Sequence, residues 1–247
     1  MAKVAVVDSG CANLKNVCKA LLYAGVDAFI TDESARLSGA GGIVFPGVGS
    51  FSHAASMLKA KGLNDALLEC IAAGKPFLGI CLGLQLLFSC SEEAGAEPGS
   101  LPTGLNAVSG QVKLLPPGLP VPHVGWNLVR PCFSHPLFDG LADGAYFYFT
   151  HSYYVLPDDP AHILALAEYG QAFTAAAVKE NLVGVQFHPE MSGAAGLRIF
   201  SNFGKIIADP ELLQLTRSGA KRKYADQANY TLPGCAKRPR SERDPLY

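Results

Sequence analysis

"FLGICLGLQLLF", residues 77–88, decides the fold. An apolar run climbs to Cys81, with Gly79 and Gly83 two positions away on either side, and the apolar spacing then turns helical. A buried strand that ends in Gly-x-Cys-x-Gly and enters a helix is the thiol counterpart of the Gly-x-Ser-x-Gly nucleophile elbow. Such a turn strains the central residue and lifts its side chain clear of the sheet, and small flanking residues make room for it. At a helix start the dipole favours a thiolate. The amide of Leu82 then points where a tetrahedral oxyanion would form. The bland alternative is a buried cysteine at the beginning of a helix.

Moving outward toward the N-terminus, "KVAVVD" (3–8) reads as a buried strand. "ANLKNVCKALLYAG" (12–25) has a helical apolar period and stops at Gly25. "DAFIT" (27–31) and "GGIVFPGVGSF" (41–51) supply two more strands, the second running into a Pro/Gly turn. Residues 51–74 hold one or two helices, and "KPFLGI" (75–80) is the strand that carries the elbow. Strands alternating with helices predict a three-layer α/β fold with a mostly parallel, doubly wound sheet. In such sheets chemistry lies beyond the carboxyl ends of the strands, where the PGVG and Cys81 turns both fall.

After residue 90 the rhythm changes. Gly, Pro and Ser are frequent from 94 to 122, and β-type segments follow near 108–115, 124–129, 146–155, 163–168, 172–178 and 182–187. These predict antiparallel hairpins added to the same domain, closed by a helix over 194–208. The first 211 residues read as one domain. Residues 212–247 carry a net charge of +5, lose apolar periodicity and are expected to be a basic, disordered tail or linker remnant. The rest of the chain is net −6.

Bulk composition excludes several classes. With 49% hydrophobic and 17% charged residues the 247-residue chain is an ordinary globular protein. No apolar run approaches the ~18 residues of a membrane helix. Seven scattered cysteines without a CxxC pair argue against a disulfide framework and against zinc. No metal or cofactor is expected, and the compartment is expected to be the cytoplasm, or a plastid if a transit peptide is missing from this chain.

A cysteine nucleophile needs a base. Among six histidines, His188 stands out in "VGVQFHPEMS" (183–192), at the end of an apolar strand and ahead of Pro189 and Glu190. Pro189 biases His188 to an extended conformation, where residues i and i+2 point the same way. Glu190 can therefore orient the imidazole, the third role in a triad. Cys81, His188 and Glu190 are thus the candidate catalytic residues, brought together at the rim of the sheet. His53, His135 and His162 read as structural.

"GICLGLQLLF" with "FHPE" resembles the class I (triad) glutamine amidotransferases over roughly residues 3–206. "FPGVGSF" (45–51), "SEEAG" (91–95), "PHVGWN" (122–127), "YFTHSYY" (147–153) and "FHPEMSGAAGL" (187–197) are similar to the glutaminase part of imidazole glycerol phosphate synthase. The resemblance implies glutamine hydrolysis at Cys81, with backbone amides of Leu82, Val48 and Gly49 as the oxyanion hole. It implies that Gly47, Gln85, Glu93, His151, Ser152 and Tyr153 bind glutamine. It places Asn13, Trp126, Asn127 and Tyr148 at the interface with a (β/α)₈ cyclase partner, separate or fused, that uses the ammonia in histidine biosynthesis. Trp126, the only Trp, would by composition alone be core. Met191 stands where relatives usually carry Lys, and Ser9 and Ala12 replace the usual Tyr and Gly. The alternatives are the glutaminase subunit of another glutamine-dependent synthase, a γ-glutamyl hydrolase, or a catalytically idle regulatory homologue. No nucleic-acid or membrane partner is expected.

Overall fold

The computed structural model describes residues 3–93, 101–141 and 143–215. The first half alternates as the sequence predicts: β1 (Val4–Val7), α1 (Leu14–Tyr23), β2 (Ala28–Thr31), a short α2 (Ser34–Ser38) and β3 (Gly42–Gly47). Residues 51–74 form two helices, α3 (Phe51–Ala60) and α4 (Leu63–Ala72), before β4 (Phe77–Cys81) and α5 (Leu82–Gln85). The second half contains β5 (Cys90–Ser91), β6 (Gly110–Leu114), β7 (His123–Pro131), β8 (Ala145–His151) and β9 (Tyr153–Pro157). β10 (Ile163–Tyr169), β11 (Gln171–Lys179), β12 (Leu182–Val185), α6 (Gly193–Ala208) and α7 (Leu212–Leu215) complete it.

The described strands form one twelve-stranded sheet whose main path runs β2-β1-β3-β4-β12-β11-β10-β7-β8, with β5, β6 and β9 branching from β11. β2, β1, β3, β4 and β12 are mutually parallel along that path. From β12 onward neighbours are antiparallel. Along β1, Val4 and Val6 face Val17 and Leu21 of α1 and Phe200 and Phe203 of α6. Ala5 and Val7 face the opposite core, with Leu37 of α2, Phe51 and Leu58 of α3 and Leu67 of α4. That alternation makes the three layers. Each wholly buried Phe or Leu contributes roughly 2 kcal/mol, so these two cores outweigh any single hydrogen bond, at about 1 kcal/mol net.

Four details depart from the sequence reading. β12 is no mere hairpin addition: it is antiparallel to β11 but parallel to β4, pairing Val185 with Ile80. The segment 146–155 is two strands, broken at Ser152. The helix expected over 82–88 is a single turn, since Leu87 and Phe88 bond three residues back and the chain enters β5. At the C-terminus α7 begins the segment drawn as tail, and Leu213 packs against the core. The rest of that segment, 216–247, with Cys235 and the basic clusters, lies outside the described residues, as do 94–95 of the SEEAG stretch.

Candidate active site

Parallel pairing puts three strand ends side by side. Gly47 of β3 is opposite Cys81, and on the other flank the β4–β12 register carries Gln186 to the same level. Cys81 has φ 53 and ψ −112, a backbone region that costs a non-glycine residue of order 1–3 kcal/mol. The elbow is enforced by packing: a Cβ on Gly83 would lie 1.8 Å from the Phe45 carbonyl oxygen. No side chain fits there, so the turn closes directly onto β3.

Beyond β12 the chain stays extended at His188 (φ −103, ψ 95) and then turns through a 3₁₀ segment, Pro189–Met191. Glu190 Oε1 meets His188 Nδ1 at 2.7 Å, with both side chains buried. The turn is held because α6 packs onto it; a Cβ on Gly196 would come 1.8 Å from the Pro189 oxygen. The His188 N–H donates to the Tyr148 carbonyl of β8 at 2.9 Å, and the Ser192 hydroxyl donates to the His188 carbonyl at 2.6 Å. His188 Nε2 is buried and has no partner in hydrogen-bond geometry. Burial opposes the imidazolium, yet the adjacent Cys81 sulfur and the Glu190 carboxylate outweigh it and push the His188 pKa up to about 10. Nε2 is left without a hydrogen bond, as catalytic groups often are before substrate binds.

The oxyanion donors are unequal. Leu82 opens α5, so its N–H has no acceptor within the helix. Val48 N–H instead donates to the Cys11 carbonyl at 2.7 Å, so it is already engaged. The expectation that Val48 serves the oxyanion is thus not met in this conformation. Gly49 follows in the same exposed turn.

The sequence matches the family model "Glutamine amidotransferase class-I" over residues 5–206. The chain belongs to this family. The imidazole glycerol phosphate synthase subunit HisH of Symbiobacterium thermophilum is 44% identical over 209 residues, spanning 85% of this amidotransferase and 96% of that protein. The subunit of the same name from Gloeothece citriformis is 47% identical over 207 residues, 82% and 95% of the two chains. A solved structure of PurLQS from Thermotoga maritima has a TM-score of 0.65 at 18% identity, covering 84% of this chain and all of that one. The last likeness concerns the fold alone.

Around the amidotransferase's elbow the other candidate residues fall into two groups. Gln85, one turn after Cys81, is buried and donates through Nε2 to the Tyr153 carbonyl at 2.9 Å and to Gln186 Oε1 at 3.1 Å. Only its Oε1 is left to meet a ligand, as an acceptor. Glu93 is half-buried and accepts from the Phe51 N–H at the start of α3. Ser152 and Tyr153 are half-buried at the β8–β9 bend, and Gly47 lines the floor beside Leu82. His151 differs from expectation. Its Nδ1 donates to the Tyr153 carbonyl at 2.8 Å and its Nε2 meets His123 Nδ1 at 3.0 Å, so no ring nitrogen remains for glutamine.

The interface residues separate by strand alternation. On one face of β7 and β8 lie Val124, Trp126, Tyr146 and Tyr148; Trp126 is 56% and Tyr146 60% exposed. Trp126 and Tyr148 pair across the strands edge to face, 6.2 Å between centroids. Trp126 is therefore a surface residue. Asn127 points the other way, and its amide is engaged by the Glu168 carbonyl, His123 and the Leu128 N–H. Asn13 is exposed at the start of α1. Gln186, which is not among the residues expected from sequence, places its Nε2 3.6 Å from Cys81 Sγ. Its position two residues before His188, at the end of the apolar run 183–187, was the available signal, although the structure ends β12 at Val185.

Proposed function

We propose that this amidotransferase hydrolyses the side-chain amide of glutamine and passes the ammonia to a cyclase partner making imidazole glycerol phosphate. The observation that carries the reading is Cys81 on a strained elbow beside an imidazole whose far nitrogen is held by Glu190. His188 accepts the thiol proton, and the sulfur forms a bond to the carboxamide carbon. The oxyanion meets the Leu82 N–H. His188 returns the proton to the amide nitrogen, the C–N bond breaks and ammonia departs, leaving a thioester. Water, deprotonated by His188, then releases glutamate and restores Cys81. Gln85 Oε1 accepts from the substrate's α-ammonium, with the Glu93 carboxylate as a second acceptor.

The partner is read from the exposed aromatic face of β7–β8. Its strand β8 bonds directly to His188 through Tyr148, so docking there bears on the base. Val48 gives a second reason for partner dependence: its N–H reaches an oxyanion only when the bond to Cys11 breaks. Free chain should be a weak glutaminase and the complex a strong one. The HisH relatives are named as synthase subunits, which supports the same division of labour. The test is to mix the chain with a (β/α)₈ cyclase subunit of the histidine pathway and supply glutamine in place of ammonium salts. Product formation from glutamine supports the reading. A cyclase that turns over with ammonium but never with glutamine would reject it.

A further inference from the structure

Gln186 is wholly buried, places its amide nitrogen 3.6 Å from Cys81 Sγ in hydrogen-bond geometry, and has no part in the triad. Its amide orientation follows from its neighbours. The Tyr153 carbonyl can only accept, so the Gln85 atom 2.9 Å away is the nitrogen. That nitrogen's second hydrogen meets Gln186 at 3.1 Å, which makes the Gln186 atom the oxygen. The other end of Gln186 is then NH₂, and it donates to Cys81 Sγ.

The same carbonyl fixes a second branch. His151 Nδ1 must carry a hydrogen to reach it, so a neutral His151 accepts at Nε2 from His123 Nδ1–H. His123 in turn accepts at Nε2 from Asn127, whose nitrogen is identified by its 2.7 Å bond to the Glu168 carbonyl. Burial keeps both rings neutral: it lowers the His123 pKa and takes His151 down to about 3. Two backbone carbonyls thus determine every donor and acceptor from Asn127 to the sulfur, and the chain ends with an N–H aimed at Cys81. The helix dipole cannot supply this stabilisation alone, because α5 is one turn long.

We propose that Gln186 is a catalytic residue: its amide N–H stabilises the Cys81 thiolate, and the Tyr153 carbonyl, through Gln85, aims it there. This deepens the glutaminase reading and rests on it. Gln186 donates a hydrogen bond and transfers no proton. It acts when the thiol proton passes to His188, and again when the sulfur leaves the thioester carbon as thiolate. The titratable groups around the sulfur are His188 and Glu190 beyond β12 and the neutral His151 of β8, so a change at Gln186 alters none of them covalently.

The experiment is the pH dependence of Cys81 alkylation by iodoacetamide in the folded full chain, read on the Cys81 peptide by mass spectrometry. Gln186→Met keeps the shape without the donor; Gln186→Glu still accepts from Gln85 but faces the sulfur with oxygen. Both should move the profile upward by about one unit or more, with alkylation near neutral pH at least about tenfold slower. Gln85→Glu can only accept, so it should reverse the intact Gln186 amide and give the same direction of shift. A Gln186→Met profile that superimposes on wild type would overturn the proposal, even if Gln186→Glu shifts through its charge. Should Gln186→Met fail to fold, an unshifted Gln85→Glu profile overturns it. Wild-type Cys81 reacting no faster than Cys90 would instead count against the glutaminase reading itself.

Discussion

At the scale of single residues, steric and protonation constraints make sharp predictions. Gly83→Ala would drive a methyl into the Phe45 carbonyl, an approach backbone cannot relieve without opening the elbow. Urea unfolding should show a loss of about 3 kcal/mol or more. His135 is buried, and its Nδ1 accepts from the Leu137 N–H. Burial depresses its pKa to about 4. A depressed histidine stabilises the neutral fold above its unfolded pKa of about 6.5, and this is lost as pH falls through the folded value. Between pH 6.5 and 4 the loss is on the order of 3 kcal/mol. His135→Asn keeps an acceptor for Leu137 and cannot titrate, so the drop in Tm from pH 7 to pH 4.5 should shrink. An unchanged drop would remove His135 from the acid sensitivity. The Cys81 elbow and the His188–Glu190 contact were legible at this scale because elbow and strand-end patterns are local. The saturation of His151 and the turning of Val48 toward Cys11 were not, since each depends on a partner distant in sequence.

At the scale of elements, β12 decides the site. Its apolar run identified a strand, but no periodicity distinguishes a hairpin return from a strand that inserts beside β4. Only the second arrangement carries His188 to Cys81. The alternation of β7 was legible as a strand, yet which face was covered was not. Trp126 proved outward and Asn127 inward, against the expectation that both serve one interface. The exposed pair Trp126–Tyr148 has the makeup of a binding hot spot. Trp126→Ala should weaken cyclase binding by roughly 2 kcal/mol, about thirtyfold, in isothermal titration. An unaltered Kd would move the docking face elsewhere.

At the scale of the whole molecule, a parallel sheet supplies the Cys81 elbow and the Gly47–Gly49 turn, while antiparallel strands supply the β8–β9 bend and the exposed aromatic face. One strand, β12, belongs to both halves, and His188 follows three residues after its end. The α/β class was readable from the alternation of the first 90 residues, but the join between the halves required long-range pairing. The central claim is that Cys81 is the nucleophile and His188 its base. Glutamate release from glutamine, with the cyclase partner saturating, tests it most directly. Release should fall to background in Cys81→Ala and by about a hundredfold or more in His188→Ala. Cys81→Ala releasing glutamate at the wild-type rate would contradict it.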